Sequence, residues 1–183
     1  MSIRMMGRAT VALLVLALVG LGGCSVSAPR GVTAVTPFEL ERYLGTWYEI
    51  ARLDHSFERD LDNVKAQYSL RPDGNVEVIN SGHDTETGER NEAVGVAKFI
   101  GAQDVASLKV SFFGPFYGGY HVVELDDDYR WALVIGQSRN YLWILARDKQ
   151  IPDDVRARLL ARATELGIDV SELIWVEQDR DDV

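Results

Sequence analysis

Between Trp47 and Arg147 the chain is a succession of short runs in which apolar and polar residues alternate, each closed by a turn signal. A period of two is the period of a strand, so this stretch can fold only as a sheet of consecutive strands. Val64-Lys65-Ala66-Gln67-Tyr68-Ser69-Leu70 alternates strictly, Pro72-Asp73-Gly74-Asn75 is a turn, and Val76-Glu77-Val78-Ile79-Asn80 returns beside it. Thr87-Gly88-Glu89 separates this hairpin from Asn91 to Ile100, and Leu108-Lys109-Val110-Ser111-Phe112 alternates again. Gly114 to Gly119 reads as a glycine-rich loop, followed by Tyr120 to Leu125. Asp126-Asp127-Asp128 reads as a solvated turn, followed by Trp131 to Gly136 and Tyr141 to Arg147. With Trp47 to Leu53 this makes eight strands in about 100 residues. Eight hairpin-linked strands close into an up-and-down barrel, which abolishes exposed edges. An interior of that size is either filled by side chains or holds one small ligand.

The period then changes. Val155, Leu159, Ala163 and Leu166 fall at spacings of four, four and three, one apolar stripe of a helix. Pro152 suits its first turn, Asp153 and Asp154 suit its positive end, and Gly167 suits the residue after it. Ile174-Trp175-Val176 reads as a last short strand. The expected fold class is therefore all-β: an eight-stranded antiparallel up-and-down barrel, one C-terminal α-helix packed outside, and a short final strand.

Residues 1–23 do not belong to that fold. Arg4 and Arg8 precede an apolar run from Thr10 to Leu21 that ends in small residues, the pattern of a secretory signal. The run is shorter than the roughly 20 residues a transmembrane helix needs. Cys24, the only cysteine, follows Leu21-Gly22-Gly23 and resembles the lipidated residue of a bacterial lipobox. That resemblance implies cleavage before Cys24, diacylglyceryl transfer to its thiol and acylation of the new amino terminus. Several acyl chains give stable attachment where one gives only marginal binding. Ser25 rather than Asp at the next position points to the outer membrane, with the domain facing the periplasm. Residues 24–37 are expected to be the lipidated terminus and a linker, 38–177 the barrel domain, and 178–183 a loose acidic tail.

Removing residues 1–23, which carry two Arg and no acid, leaves 17 Lys and Arg against 28 Asp and Glu, a formal net charge of −11. Such a surface repels nucleic acid and anionic headgroups, which excludes a nucleic-acid partner.

Gly45-Thr46-Trp47 resembles the G-x-W signature that opens the first strand of the lipocalin family. Tyr141-Leu142-Trp143-Ile144-Leu145-Ala146-Arg147 resembles that family's last barrel strand with its closing arginine. The longer phrases Tyr43 to Arg52 and Val110 to Tyr120 are similar to the bacterial outer-membrane lipocalins, whose relatives include apolipoprotein D and plant temperature-induced lipocalins. Gly45, Trp47 and Arg147 are thereby implied to close the barrel floor, with the guanidinium lying over the indole. The family's T-D-Y motif is degraded to Asp126-Asp127-Asp128-Tyr129. The resemblance implies a fatty acid or lysophospholipid as ligand, held for storage, transport or scavenging.

Alternation assigns the inward face. Lys65, Gln67 and Ser69 face water, leaving Ala66 and Tyr68 inside; Val78 and Asn80 lie opposite Glu77; Val110 and Phe112 lie opposite Ser111. If Arg147 faces the floor, then Trp143 and Tyr141 share its side. These eight are the candidate ligand-binding residues, and in a barrel without a cavity they would simply be its filling. Arg52, His55 and Arg59, after the first strand, are candidates to receive a carboxylate or phosphate. No cofactor is implied. His55, His83 and His121 have no metal-ligand spacing, and no nucleophile elbow or Ser-His-Asp set is present, so neither a metal site nor catalytic residues are expected. A lipid-modifying enzyme and a filled barrel serving only as a protein partner are the alternatives to a binder, and both monomer and homodimer remain open.

Overall fold

The computed structural model describes residues 25–180. The signal segment and Cys24 therefore lie outside the described residues. Each expected run forms a strand: β1 (Gly45–Arg52), β2 (Leu61–Leu70), β3 (Val76–Asp84), β4 (Arg90–Phe99), β5 (Ser107–Phe113), β6 (Phe116–Leu125), β7 (Trp131–Ile135) and β8 (Leu142–Ala146). Neighbours pair antiparallel in sequence order, and β1 joins both β8 and β2, so the sheet closes. The first half of β1 pairs with β2 from Gly45 to Tyr48. Beyond Ala51 the short strand β9 (Ile174–Trp175) takes that edge instead. β4 pairs with β5 only from Val96 to Phe99, so the β5-facing edge of its first residues, Arg90 to Gly95, is not covered by that strand.

The strand order defines two ends. The closed end holds the starts of β1, β3, β5 and β7 and a one-turn helix α1 (Leu40–Tyr43). The open end holds the β1–β2, β3–β4, β5–β6 and β7–β8 connections. Outside the barrel, α2 (Asp153–Glu165) buries Leu159 and Ala163 against Leu133, Ile135, Leu142 and Ile144. Inside, Ala132, Val134 and Leu145 join a second core with Trp47, Tyr68 and Val78. This two-sided burial explains why Trp131 to Ile135 and Leu142 to Ala146 are continuously apolar where the other strands alternate. At its end α2 is capped as the spacing predicted: Gly167 sits at φ +79°, its N–H donates to Thr164 O, and Ile168 N–H donates to Ala163 O. Pro152 occupies the N-cap, one place before the first helical residue.

Four expectations are corrected. The loop from Gly114 to Gly119 is only Gly114-Pro115, because Phe113 pairs with Phe116 and the strand β6 starts there. The segment read as a linker is docked: Val35 N–H donates to Val122 O, Ala106 N–H to Val35 O, and Phe38 N–H to Asp104 O. Val32 is buried between barrel and helix. The acidic tail is tied down as far as it is described, because Gln178 Nε2 donates to Glu49 O and Val64 O, and Arg180 N–H to Asn63 Oδ1. Asp126 is not a solvated turn residue; it is buried and accepts two bonds from the Arg130 guanidinium, at 2.7 and 3.0 Å.

Candidate functional site

The barrel encloses a cavity of about 680 Å³, within the range of small-molecule sites. Ala66, Tyr68, Val78, Asn80, Val110, Phe112, Tyr141 and Trp143 all line it, together with Leu145. The pleat brings them there: β2, β3, β5 and β8 each present alternate residues inward. Gly95 on β4 makes room for one of them, since a Cβ at that position would lie 2.8 Å from the Phe112 ring.

The closed end is built as a floor. The Arg147 guanidinium lies 4.0 Å above the Trp47 ring, and its N–H groups donate to Thr46, Arg42, Leu44 and Tyr129 carbonyls. The Trp47 indole N–H donates to Tyr43 O at 2.8 Å. Gly45, at φ +92°, lets the chain turn from α1 into β1 beneath that arginine. Tyr129, displaced by one from the family motif, is buried and accepts the Glu39 N–H on its hydroxyl at 2.9 Å. Above the floor the Tyr43, Tyr120 and Tyr68 hydroxyls form a chain, 2.7 and 3.0 Å apart. Burial raises the pKa of all three, so they stay neutral. Three O–H donors share two bonds, which leaves one hydrogen for a further acceptor.

The open end carries a cluster the sequence reading missed. Glu49 on β1 and Glu58 in the β1–β2 loop both line the cavity and are both buried. Arg52 Nη1 donates to Glu49 Oε1 at 2.8 Å, and its Nη2 donates to the Glu58 and Leu61 carbonyls. The Trp143 indole N–H donates to Glu58 Oε2 at 3.1 Å. Burial lifts the Glu49 carboxyl well above its ordinary range, Glu58 adding to the shift and Arg52 opposing it; burial also lifts Glu58. His55 stacks on Phe57 at 4.0 Å and lies near Trp143 and Tyr141, so the loop folds over the mouth as an aromatic lid. Burial and the Arg52 charge push the His55 imidazole down to about 4, and it sits neutral, 3.3 Å from Glu58 Oε2. Glu49 was legible in principle, because alternation puts it on the face of Trp47; Glu58 comes from an aperiodic loop.

The three anion candidates are corrected accordingly. Arg52 is the last residue of β1, not a loop residue, and both its terminal nitrogens are engaged, by Glu49 and by backbone carbonyls, while its buried Nε has no partner. His55 is buried under Phe57, and exposed Arg59 is paired with Asp54 at 2.6 Å. The polar groups of the cavity wall include the Asn80 Oδ1, buried without a partner, and the remaining hydrogen of the tyrosine chain. Among the described residues no group of three His, Cys, Asp or Glu could hold a metal ion.

A closed antiparallel barrel with a sealed floor, one mouth and an apolar interior defines a small-ligand carrier protein. Residues 38–178 match the lipocalin-like domain family, and the chain belongs to the lipocalins. It is 55% identical over 170 residues to the outer membrane lipoprotein Blc of Escherichia coli K12, covering 93% of each chain. It is 37% identical to temperature-induced lipocalin-1 of Arabidopsis thaliana, over 79% of this chain and 81% of that one. To mouse apolipoprotein D it is 30% identical, over 77% of each. Insecticyanin of the tobacco hornworm, at 22% identity, shares the fold with a TM-score of 0.66 over 83% of this chain and 86% of that one. The protein is thus a lipocalin of the cell envelope, lipid-anchored at the outer membrane, and a binder of small hydrophobic ligands rather than an enzyme.

Proposed function

We propose that the cavity takes one acyl chain of a single-chain amphiphile, a fatty acid or a lysophospholipid, with the polar head left at the mouth. Cys24 carries the anchor, and the bound lipid is stored, moved or scavenged within the envelope. The observation that carries this reading is the apolar cavity wall of Val78, Val110, Phe112 and Leu145 beneath the lid. About ten buried methylenes at roughly 0.8 kcal/mol each amount to a micromolar interaction before ordering costs. The two buried carboxyls beneath the lid support the head staying outside it: a free carboxylate drawn in past the lid would at once meet like charge at Glu49 and Glu58. The volume also argues against the filled-barrel alternative.

The test is titration of the domain, freed of residues 1–24, with palmitate, palmitoyl-lysophosphatidylethanolamine and retinol, read by tryptophan emission. Trp143, in the wall, should report saturable binding of the acyl ligands, and Val78→Trp, which narrows the cavity, should abolish it. If no acyl ligand saturates while circular dichroism shows the barrel intact, the lipid-binding reading fails.

A further inference from the structure

Halfway down the cavity the wall carries polar groups that the fold leaves unused. Asn80 is the fifth of the nine residues of β3, so it stands about 13 Å along the strand above Val76 at the floor and as far below Asp84 at the mouth. Its cross-strand neighbours are Ala66 on β2 and Ala93 on β4, whose methyl groups cannot bond its amide, and its Oδ1 is buried without a partner. One step deeper, Val78 lies opposite Tyr68, whose hydroxyl meets Tyr120 at 3.0 Å, and Tyr120 meets Tyr43 at 2.7 Å. Burial keeps all three hydroxyls protonated. In two of the three ways of ordering their hydrogens the spare one is on Tyr68 or Tyr120, and those are the two that line the main cavity. On either side of this belt the lining is apolar: Phe112 and Trp143 above it, Val76, Ala97 and Leu108 around a small pocket against the floor.

A bare methylene chain laid along this wall would exclude water from Asn80 and from the spare tyrosine hydrogen and offer neither a bond in return. A hydroxyl on the chain answers both. It gives its hydrogen to Oδ1, or takes one from Nδ2 of the same amide, and its oxygen can accept from a tyrosine. A ketone or ether oxygen has no hydrogen to give and leaves Oδ1 unpaired. Resting on the reading of the cavity as an acyl-chain site, we propose that its preferred occupant is a hydroxylated acyl chain, a single-chain amphiphile whose hydroxyl lies midway along the chain and is received between Asn80 and the Tyr68–Tyr120 pair. With the head at the mouth, a hydroxyl beside the head stays at the lid and one at the tail is carried to the apolar floor; only a mid-chain hydroxyl meets the belt.

The chain from Ser25 onward, which holds every strand of the closed barrel, is titrated with octadecanoate, 10-hydroxyoctadecanoate and 2-hydroxyoctadecanoate below their micelle concentrations, read by tryptophan emission. The two hydroxy acids contain the same atoms, so a difference between them reports where the hydroxyl sits and not how polar the ligand is. The 10-hydroxy acid should bind about tenfold more tightly than the 2-hydroxy acid, the selectivity of a site with a buried group to pair. Asn80→Leu, close to the same size, should bring the two within about twofold of each other; if circular dichroism shows that variant unfolded, Asn80→Ala takes its place. Equal, saturable binding of both hydroxy acids by the unsubstituted domain overturns the inference and leaves the acyl-chain reading standing. A preference that survives both substitutions also overturns it, because the hydroxyl is then held elsewhere. If none of the three ligands saturates a folded barrel, the acyl-chain reading falls and this inference with it. Repeating the titration with the lysophosphatidylethanolamines of the two hydroxy acids identifies the carrier of the hydroxyl, free acid or lysolipid, as the series that binds more tightly.

Discussion

Single side chains at the two ends of this barrel act in opposite ways. Arg147 brings every N–H it directs at the floor to a backbone carbonyl, three of them around α1 and the start of β1, and covers an indole as well. A lysine could keep the charge but not the fork of bonds. Arg147→Ala should cost about 3 kcal/mol in urea unfolding, given several lost charged bonds and the cation–π contact, and Arg147→Lys should recover less than half of it. At the mouth, His55 makes no hydrogen bond with either ring nitrogen. In the unfolded chain it takes its proton near 6.5, whereas in the fold burial and Arg52 hold it to about 4. Between those values the unfolded state binds more protons, so this group makes stability fall as pH drops from 6.5 towards 4. An NMR titration of His55 should show a midpoint near 4, and His55→Phe should remove that part of the acid sensitivity. A midpoint close to 6.5 would mean that the lid does not bury the imidazole.

At the scale of elements, one sheet has two differently filled faces. Leu159 of α2 is fully buried against β7 and β8, so Leu159→Ala should leave a hole and cost about 2–5 kcal/mol. Val110 on β5 faces the open cavity, so Val110→Ala enlarges a space already present and should cost under about 1.5 kcal/mol. Comparable losses at both positions, measured by denaturant unfolding, would show that the interior is packed rather than hollow. The same contrast decides what could be read from the sequence. Ala66, Tyr68, Val78 and Asn80 lie on strands with one wet face, where alternation separates inside from outside, and all four line the cavity. On β7 and β8, buried on both faces, alternation carries no such information; Tyr141 and Trp143 could be placed only from the resemblance that set Arg147 at the floor. The docking of residues 26–38 and the lid contacts of Glu58 were not legible, because both are aperiodic segments whose partners lie far off in sequence, His121 for Val26 and Trp143 for Glu58. Glu49 shows a rule left unapplied: two places after Trp47 on β1, it faces inward although it is an acid, and the Arg52 beside it is what makes that tolerable.

For the molecule as a whole, the floor, the helix-backed wall and the lid enclose a space that the folded protein has and the unfolded chain lacks. Whatever fills it therefore stabilises the entire barrel by mass action. At a free concentration a hundred times its dissociation constant, a ligand adds about 2.7 kcal/mol. For a domain of this size that should raise the melting temperature by roughly 5–10 °C. If methylenes supply the affinity, the rise must depend on chain length: each pair of carbons removed takes away about 1.6 kcal/mol, on the order of tenfold in affinity. At one fixed concentration, palmitoyl-lysophosphatidylethanolamine should give the full shift, the lauroyl form a small one, and the octanoyl form none. A shift that is the same for all three would assign the affinity to the head group, and then the polar mouth around Glu58, rather than the apolar wall below it, would be the binding site.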